Sequence, residues 1–328
     1  MSPNDMYDLT SQNGLKLKAL AKFYLEFSNA KDLIKICKEN ELVSNDLCVI
    51  GEGTNSIFPT NFNRFVIKPA GNKIQIIENK NNVILKVEAG VKWDDLIDFC
   101  CKNNFYGLEN LAGIPGSVGA APVQNIGAYG KELSENILKI EVCDISDKLI
   151  KELDNADCKF NYRESIFKKN KSLIITSVFL NLSNHFSPKL EYKDFKNQVF
   201  SKSADLIAFV REIRLKKIPD QTSFPNLGSF FKNPIVDKEA YNSNQRLKPL
   251  TQVHALKEQV KLSAAEMIEA VGLKGLRING CGISVKHSLV LVNTGISSSD
   301  DIQRVEKLIR ERVRKAFGIN LETEPIYL

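Results

Sequence analysis

Two glycine-rich loops are the residues of this sequence best suited to hold a ligand. They are GEGTNS at 51–56 and GIPGSVGAAP at 113–122, the second within a run, 111–130, that has no charged residue although 26% of the chain is charged. Glycine lets backbone N–H groups approach a ligand, and a row of such groups binds an anion. Each loop alone also fits a tight turn in a packed core. Two such loops, each after a predicted strand or helix, favour a bound diphosphate.

The first loop almost matches the dinucleotide fingerprint G-x-G-x-x-G, but its context excludes the doubly wound fold. Ser56 replaces the third glycine and Pro59 follows it. The next residues, NRFVIKP at 63–69, are typical of a strand, where the fingerprint requires a helix. The sequence also lacks the lysine of a P-loop. The loop could therefore bind a dinucleotide, but only in a protein whose fold is not the doubly wound one.

The composition indicates a globular protein of two domains. The chain has 328 residues, of which 43% are hydrophobic, and a net charge of +6 that mildly favours an anionic ligand. Basic residues are densest at 210–217 and 309–317, where interleaved acids and helical spacing indicate solvated helix faces. This pattern argues against a nucleic-acid-binding protein.

Cysteine and histidine usage favours a reduced cytosolic protein without a metal. The seven cysteines form no C-x-x-C pair, and the three histidines are far apart. The N-terminal residues are polar and unlike a signal peptide. The uncharged run 111–130 is long enough to span a membrane, but Pro115, Pro122 and five glycines interrupt it. We therefore expect neither a metal nor a membrane anchor.

The spacing of apolar residues predicts an α+β protein in which these loops connect helices and strands. Helices are predicted at 29–40, 93–104, 202–217, 262–273 and 299–318, and strands at 46–53, 64–69, 73–78, 82–90, 137–146, 172–183 and 287–295. The helix at 262–273 begins with a capping box, Ser263 to Glu266, and ends at Gly272. The helix at 299–318 has an inward apolar face, formed by Ile302, Val305, Leu308, Ile309 and Val313. Pro219 marks a domain boundary.

Five motifs occur in the order found in one enzyme family. They are GEGTNSIF, GLENLAGIPGSVGAAPVQNIGAYGKEL, CKFNYRESIFK, GSFFKNP and a terminal LETEP, from residue 51 to the C-terminus. The chain therefore resembles the UDP-N-acetylenolpyruvoylglucosamine reductases. The resemblance implies a two-part FAD-binding domain of the vanillyl-alcohol-oxidase type at 1–218, with subdomains at about 1–70 and 71–218. It also implies a smaller α+β substrate domain at 219–328, whose last residues return to the active site.

The resemblance implies a reaction and its cofactors. The reaction is NADPH-dependent reduction, through bound FAD, of UDP-N-acetylglucosamine enolpyruvate to UDP-N-acetylmuramate, for peptidoglycan synthesis in the bacterial cytoplasm. A covalent flavin is usually attached to histidine or cysteine, and the glycine loops contain neither, so we expect non-covalent FAD. The expected partners are the UDP-sugar nucleotide and NADPH. We expect a monomer that binds neither nucleic acid nor membrane.

The resemblance also implies which residues bind FAD. The two loops hold its diphosphate, and the uncharged residues that follow the second loop line the flavin, which is flat, largely apolar and redox-sensitive. The implied residues are Gly51, Glu52, Gly53, Thr54, Asn55, Ser56, Ile114, Pro115, Gly116, Ser117, Gly119, Gln124, Asn125, Ile126 and Gly127.

Catalysis requires a cation or donor at the substrate carboxylate and an acid at the neighbouring carbon. By resemblance, Arg163 binds the carboxylate, Ser229 delivers the proton and Glu324 assists the enediolate. Judged from the residues alone, Arg163 also fits a surface salt bridge with Glu164, and Ser229 fits a turn. The terminal LETE leaves Glu322 as an alternative to Glu324.

Three further residues are implied to bind substrate. Tyr192 matches a tyrosine on a mobile loop in one branch of the family, and Lys217 and Asn233 match positions at the substrate diphosphate. Tyr192 also fits a core position, and Lys217 also fits a helix-end cation. His287 fits the nucleotide pocket or a structural role.

Two other functions remain open at this point. Another sugar-directed flavin oxidoreductase would use the same flavin domain, but with a different set of proton-transfer residues from Arg163, Ser229 and Glu324. A non-catalytic UDP-sugar-binding regulator would keep the fold and lack the flavin.

Overall fold

The computed structural model describes residues 6–295 and 298–328. Its strands are β1 (Tyr7–Asp8), β2 (Leu20–Phe27), β3 (Leu47–Val49), β4 (Ser56–Ile57), β5 (Asn61–Pro69), β6 (Ile74–Asn79), β7 (Asn82–Glu88), β8 (Gly127–Ala128), β9 (Lys131–Glu132), β10 (Ile137–Asp144), β11 (Leu149–Asp154), β12 (Leu173–Ser183), β13 (Asn226–Ser229), β14 (Ile235–Asp237), β15 (Val253–Ala255), β16 (Gln259–Leu262), β17 (Arg277–Ile278), β18 (Cys281–Ile283), β19 (Val290–Asn293) and β20 (Ile326–Tyr327). Its helices are α1 (Ala30–Glu39), α2 (Trp93–Lys102), α3 (Ile166–Lys169), α4 (Ser203–Lys217), α5 (Lys238–Ser243), α6 (Ala264–Ala270) and α7 (Ser299–Phe317).

The chain divides into two compact units that are not contiguous in sequence. Unit 1 comprises Ala21–Glu52 and Phe62–Arg214, together with the described residues before Asp8. Unit 2 comprises Asp8–Leu20, Gly53–Asn61 and Leu215–Leu328. The division falls inside the first glycine-rich loop, between Glu52 and Gly53.

Unit 1 is built mainly on a five-stranded sheet with the order β11-β10-β12-β7-β6. Its neighbouring strands pair antiparallel. The central strand β12 is buried almost throughout, whereas β7 alternates between buried and partly exposed residues, as expected where one face packs on a core. Helix α2 contributes Trp93, Leu96 and Ile97 to the same core. A second sheet has the order β1-β2-β5-β3, in which β3 and β5 are parallel.

Unit 2 contains a four-stranded sheet, β13-β19-β18-β17, and a three-stranded sheet, β14-β16-β15. Helices α6 and α7 pack on a core that includes Phe230, Phe231, Met267 and Ile309. The last strand, β20, pairs parallel with β4. The C-terminal residues are therefore bonded to the segment that follows the first glycine-rich loop.

The structure confirms the predicted helices and strands and corrects two details. In α6, Ser263 accepts from the N–H of Glu266, but the Glu266 carboxylate accepts hydrogen bonds from Thr251 and Gln252. In α7, Leu308 is only partly buried, whereas Glu306 is 8% exposed. The inward face of α7 therefore includes a carboxylate.

Helices of the described residues are all too short or too polar to span a membrane. The seven cysteines are free thiols. Within 6–295 and 298–328, no cluster of three His, Cys, Asp or Glu side chains is placed to hold a metal ion.

Candidate functional site

The second glycine-rich loop is fixed to the core of unit 1 by its backbone. The N–H of Val118 donates to the carbonyl of Val91 (2.8 Å), and the N–H of Gly119 donates to the carbonyl of Ala89 (2.9 Å). A Cβ on Gly119 would lie 2.5 Å from the Cβ of Ala89, so only glycine permits this approach. The Gly119 amide is therefore used within the protein, and this glycine contributes by its lack of a side chain.

The start of the loop is fixed by a side chain of α2. The N–H of Gly113 donates to Oδ1 of Asp94 (2.8 Å), and the carbonyl of Gly113 accepts from Nε of Arg214 (3.1 Å). Between the two fixed ends lie Ile114, Pro115 and Gly116, and Gly116 has a φ of 139°.

Ser117, in the same loop, has a buried hydroxyl that no protein group satisfies. The residue is 2% exposed, and its Oγ has no hydrogen-bond partner among the described residues. A Cβ on Gly51 would lie 2.9 Å from this oxygen, so glycine keeps the space beside it open. A buried polar group without a partner costs about 1–3 kcal/mol. This orphaned hydroxyl beside a glycine fits a phosphate-bearing cofactor such as FAD.

Glu52, the neighbour of Gly51, has a partner of its own. Its carboxylate lies 3.1 Å from Nζ of Lys68, on β5. The anionic charge of Glu52 is thereby balanced within unit 1, which reduces its repulsion toward a diphosphate.

Residues 124–127 form an uncharged surface, which we call the wall, and the side chain of Asn125 anchors it to neighbouring chain segments. This residue is fully buried, its Nδ2 donates to Glu132 (2.9 Å) and to the carbonyl of Asn161 (3.3 Å), and its Oδ1 accepts from the N–H of Ser134 (3.0 Å). Its amide is therefore occupied by structural contacts. Gln124 is partly exposed, Ile126 is buried, and Gly127 begins β8.

Arg163 lies directly against this wall. Its Nη2 donates to the carbonyl of Gly127 (2.6 Å), and the neighbouring Glu164 carboxylate lies 3.5 Å from Nζ of Lys168. The structure therefore brings together the predicted carboxylate-binding arginine and the predicted flavin-lining glycine.

Three residues around the wall have left-handed backbone conformations without being glycine. They are Asn125, Tyr129 and Arg163, with φ values of 44°, 49° and 54°. Such conformations cost free energy and cluster at functional sites, where the surrounding structure holds them. Their concentration here is consistent with a binding surface.

Tyr129, which is buried, and Arg214, which is partly buried, form a pair beside the wall. Burial raises the pKa of Tyr129 to about 12, and the nearby Arg214 opposes this shift. Burial lowers the pKa of Arg214, and the phenol of Tyr129 opposes this shift. Because sequence analysis assigned no role to either residue, they are additions to the predicted site. The only sequence signal was Tyr129 itself, an aromatic residue inside the uncharged run.

Tyr192 packs on Tyr129. The two rings are perpendicular, with centroids 5.6 Å apart, and burial raises the pKa of Tyr192 above its usual value. Tyr192 is nevertheless exposed, at 39%. The nearby Asn110 donates to the carbonyls of Tyr129 (3.0 Å) and Lys189 (2.8 Å), which ties the wall to the chain leading to Tyr192.

In unit 2, the loop at 53–56 contacts the N-terminal and C-terminal segments. Gly53 has a φ of 63°, and a Cβ there would overlap the carbonyl of Gln12. The carbonyl of Asn55 accepts from the N–H of Ile326 (3.0 Å), and Ser56 pairs with Ile326 in the β4–β20 ladder. Thr54 lies between these contacts. Asn55, predicted as a cofactor residue, therefore also supports the C-terminal segment.

The structure brings the backbone at Ser229 and the backbone at Glu324 close together in unit 2. Ser229 ends β13, and the carbonyl of the next residue, Phe230, accepts from the N–H of Glu324 (2.9 Å). Residues 231 and 323 form an antiparallel bridge beside them. The predicted proton donor and the predicted glutamate are thus held by adjacent backbone.

The two candidate glutamates have different surroundings. Glu322 is exposed, and its carboxylate lies 3.1 Å from Nζ of Lys232. Glu324 is partly buried, and its carbonyl lies 3.5 Å from Nδ2 of Asn55. This difference favours Glu324 for a role at a shielded site.

The remaining predicted residues of unit 2 fall in two places. Asn233 accepts from the N–H of Ala264 (3.0 Å) at the start of α6. Lys217 is the last residue of α4. Burial, followed by the positive charge of Lys217, lowers the pKa of His287, whose Nδ1 accepts from the N–H of Leu289 (3.2 Å). His287 is therefore a neutral histidine with a structural hydrogen bond, close to Lys217.

Two family models match the chain. The FAD binding domain matches residues 21–152, and the C-terminal domain of UDP-N-acetylenolpyruvoylglucosamine reductase matches residues 219–328. These matches agree with the α+β fold class, in which an FAD-binding part precedes a second domain.

Curated proteins match over nearly the whole chain. The UDP-N-acetylenolpyruvoylglucosamine reductase of Aliivibrio fischeri is 35% identical over 320 residues, which cover 96% of this chain and 92% of that protein. The protein of the same name from Pseudoalteromonas translucida is 38% identical over 322 residues, 94% of each chain. The crystal structure of the reductase from Thermus caldophilus has a TM-score of 0.69 at 23% identity and covers 98% of this chain and 99% of that one, a likeness of fold.

Proposed function

The chain belongs to the UDP-N-acetylenolpyruvoylglucosamine reductase family, and on this premise we propose its reaction. It reduces UDP-N-acetylglucosamine enolpyruvate to UDP-N-acetylmuramate in peptidoglycan precursor synthesis, with NADPH as hydride donor and non-covalently bound FAD as cofactor. The observation that carries the proposal is the backbone pairing of the Ser229 strand with the segment that bears Glu324.

FAD, when bound, supplies the redox chemistry that links NADPH to the sugar nucleotide. The residues of the second loop fit its diphosphate. Because the amides of Gly113, Val118 and Gly119 are used internally, the donors we assign are the N–H groups of Ile114, Gly116 and Ser117 and the hydroxyl of Ser117. Pro115 has no N–H and shapes the turn between them.

The other cofactor contacts we propose follow the family pattern. The loop at 51–56, namely Gly51, Glu52, Gly53, Thr54, Asn55 and Ser56, contributes backbone to the diphosphate. The wall at 124–127, namely Gln124, Asn125, Ile126 and Gly127, lines the flavin. An uncharged surface suits this position, because a fixed charge beside the ring would shift its reduction potential.

Arg163 orients the enolpyruvyl carboxylate. Its guanidinium is planar and always charged, so it matches a carboxylate that gains negative charge as the enediolate develops. Its hydrogen bond to the Gly127 carbonyl orients the guanidinium group before the substrate binds. We assign this preorganised cation to the position where the negative charge develops.

Ser229 donates the proton to the carbon next to the carboxylate, and Glu324 stabilises the enediolate by donating a hydrogen bond from a protonated carboxyl group. A serine hydroxyl is a weak acid, so it needs polarising neighbours. The N–H of Glu324 donates to the carbonyl of Phe230, so the two residues lie on adjacent stretches of backbone. Tyr192 covers the substrate, and Lys217 and Asn233 bind its diphosphate.

We also propose how the chain is organised for this reaction. Residues 1–218 form the FAD-binding domain, with subdomains at about 1–70 and 71–218, and residues 219–328 form the substrate domain. Two segments of the first subdomain, 8–20 and 53–61, pack in the same compact unit as the substrate domain. The enzyme acts in the bacterial cytoplasm as a monomer.

The test is an anaerobic spectral titration of the purified protein. We expect a yellow protein whose flavin absorbance is lost on addition of NADPH and returns on addition of the enolpyruvyl sugar nucleotide. Bleaching without recovery would show a flavin reductase for another substrate. A colourless monodisperse protein would instead indicate a regulator.

A further inference from the structure

Glu306 is a buried carboxylate that, among the described residues, accepts hydrogen bonds from Arg310 and from two residues near the C-terminus. It lies on α7 between the inward residues Val305 and Ile309 and is 8% exposed. Its Oε1 accepts from the hydroxyl of Thr323 (2.5 Å), and its Oε2 accepts from the hydroxyl of Tyr327 (2.5 Å). Arg310 adds a contact of 3.2 Å to Oε1.

Both hydroxyls belong to the C-terminal segment, residues 322–328. Thr323 directly precedes Glu324, and Tyr327 follows three residues later. Burial, followed by the hydrogen bond to Glu306, raises the pKa of Tyr327, so its hydroxyl remains a donor. The carboxylate thus holds the segment on both sides of Glu324.

The contact fixes the segment on both sides of Glu324. The hydroxyls of Thr323 and Tyr327 both reach Glu306, so these two side chains face α7, and Glu324 lies between them in the chain. Backbone bonds from Glu324 to Phe230 and from Ile326 to Asn55 hold the edges of the segment. The two hydroxyl contacts to Glu306 then fix its rotation about its own axis.

We propose that Glu306 is a positioning residue for the reaction, which sets the orientation of the Glu324 carboxyl group through Thr323 and Tyr327. This inference rests on the role of Glu324 in the proposed function. Catalytic groups held slightly out of place lose rate steeply, by as much as about 100-fold for a shift of 1 Å. Glu306 therefore acts on the half-reaction that uses Glu324, in which the sugar nucleotide reoxidises the enzyme.

The experiment compares Glu306→Gln with Glu324→Gln and with the double variant, using FAD-loaded protein. For Glu306→Gln we expect reoxidation by the enolpyruvyl sugar nucleotide to slow by about 10- to 100-fold, while NADPH reduces the flavin at the normal rate. The double variant should be no slower than Glu324→Gln, because residues that act through one another are not additive. Glu311→Gln, an exposed glutamate on the same helix, should leave both rates unchanged.

A second pair of variants keeps the test valid if Glu306→Gln does not fold. Thr323→Val removes the hydroxyl at nearly constant volume and should slow reoxidation, whereas Thr323→Ser keeps the hydroxyl and should restore it. Equal slowing of both half-reactions, or additive losses in the double variant, would show that Glu306 is only structural. A normal rate for Glu324→Gln would instead refute the assigned role of Glu324 and, with it, this inference.

Discussion

The uncharged wall of unit 1 and the C-terminal segment of unit 2 are held in place by different kinds of contact. In the wall and the loop before it, most of the groups that are held are backbone groups: the Gly119 amide bonds to Ala89, and the side chains of Asp94 and Arg163 bond to the Gly113 amide and the Gly127 carbonyl. The side chain of Asn125 adds its own hydrogen bonds behind the wall. The C-terminal segment has short backbone ladders on its edges and side-chain hydrogen bonds to Glu306 on its face.

This difference separates two tasks. A surface that holds a cofactor needs close backbone approach, and glycine and alanine supply it. A group that transfers a proton or stabilises charge must be positioned to within a fraction of an ångström. Hydrogen bonds between side chains can fix that position. Changes in the wall should therefore affect cofactor retention, and changes near the C-terminal segment should affect one half-reaction.

Replacement of Ser229 by alanine should have the largest effect on rate. General acid catalysis contributes about 10²- to 10⁴-fold, so we expect reoxidation by the sugar nucleotide to fall by that factor. Reduction of the flavin by NADPH should be unchanged, because Ser229 belongs to the proton-transfer step. Stopped-flow absorbance of the two half-reactions, measured separately, gives the result.

Ser243→Ala is the control for this variant, since Ser243 is an exposed serine of unit 2 that bonds within its own helix. If Ser229→Ala slows both half-reactions to the same extent, the proton is delivered by another group.

Replacement of Gly119 by alanine should affect stability and cofactor retention together. The added Cβ would lie 2.5 Å from the Cβ of Ala89, and overpacking of this kind costs about 1–3 kcal/mol. We expect a lower melting temperature and a lower ratio of FAD to protein after purification. The two half-reactions of the FAD-loaded fraction should change much less than in Ser229→Ala.

The combined variant Ala89→Gly/Gly119→Ala tests the cause. It removes the closest clashing atom and should recover part of the lost stability, although the Ala89 backbone remains 3.0 Å away. If the double variant recovers no stability, Gly119→Ala destabilises the loop for a reason other than its contact with Ala89.

The two regions also differ in how much of them could be predicted from the sequence. The glycine loops, the helix caps and the periodic helices are local patterns, and α1, α2, α4, α6 and α7 all formed where those patterns indicated. Strand β2 was not predicted, because LAKFYLEF carries charged and aromatic residues on a strand with little regular alternation.

The missing parts of the site depend on contacts between distant residues. Glu306 reads as one more charge on an amphipathic helix until Thr323 and Tyr327 are placed beside it. Arg214 likewise reads as a solvated cation in a basic stretch, although it is bonded to Gly113. Nor does the sequence show that residues 53–61 pack with unit 2.

Replacement of Ser117 by alanine should have the smallest effect, because it removes a single hydroxyl from the second glycine-rich loop. Ser117→Ala removes a buried oxygen that has no partner within the described chain, so the cofactor-free protein should be as stable as the parent or slightly more stable. If that oxygen serves the FAD diphosphate, FAD affinity should fall by at least about 10-fold, the lower end of the value of one hydrogen bond to a charged group. Fluorescence titration of the cofactor-free protein with FAD, alongside thermal melts, measures both. If the variant binds FAD with unchanged affinity and is more stable than the parent, Ser117 does not contact the cofactor. Its buried hydroxyl then only lowers the stability of the protein.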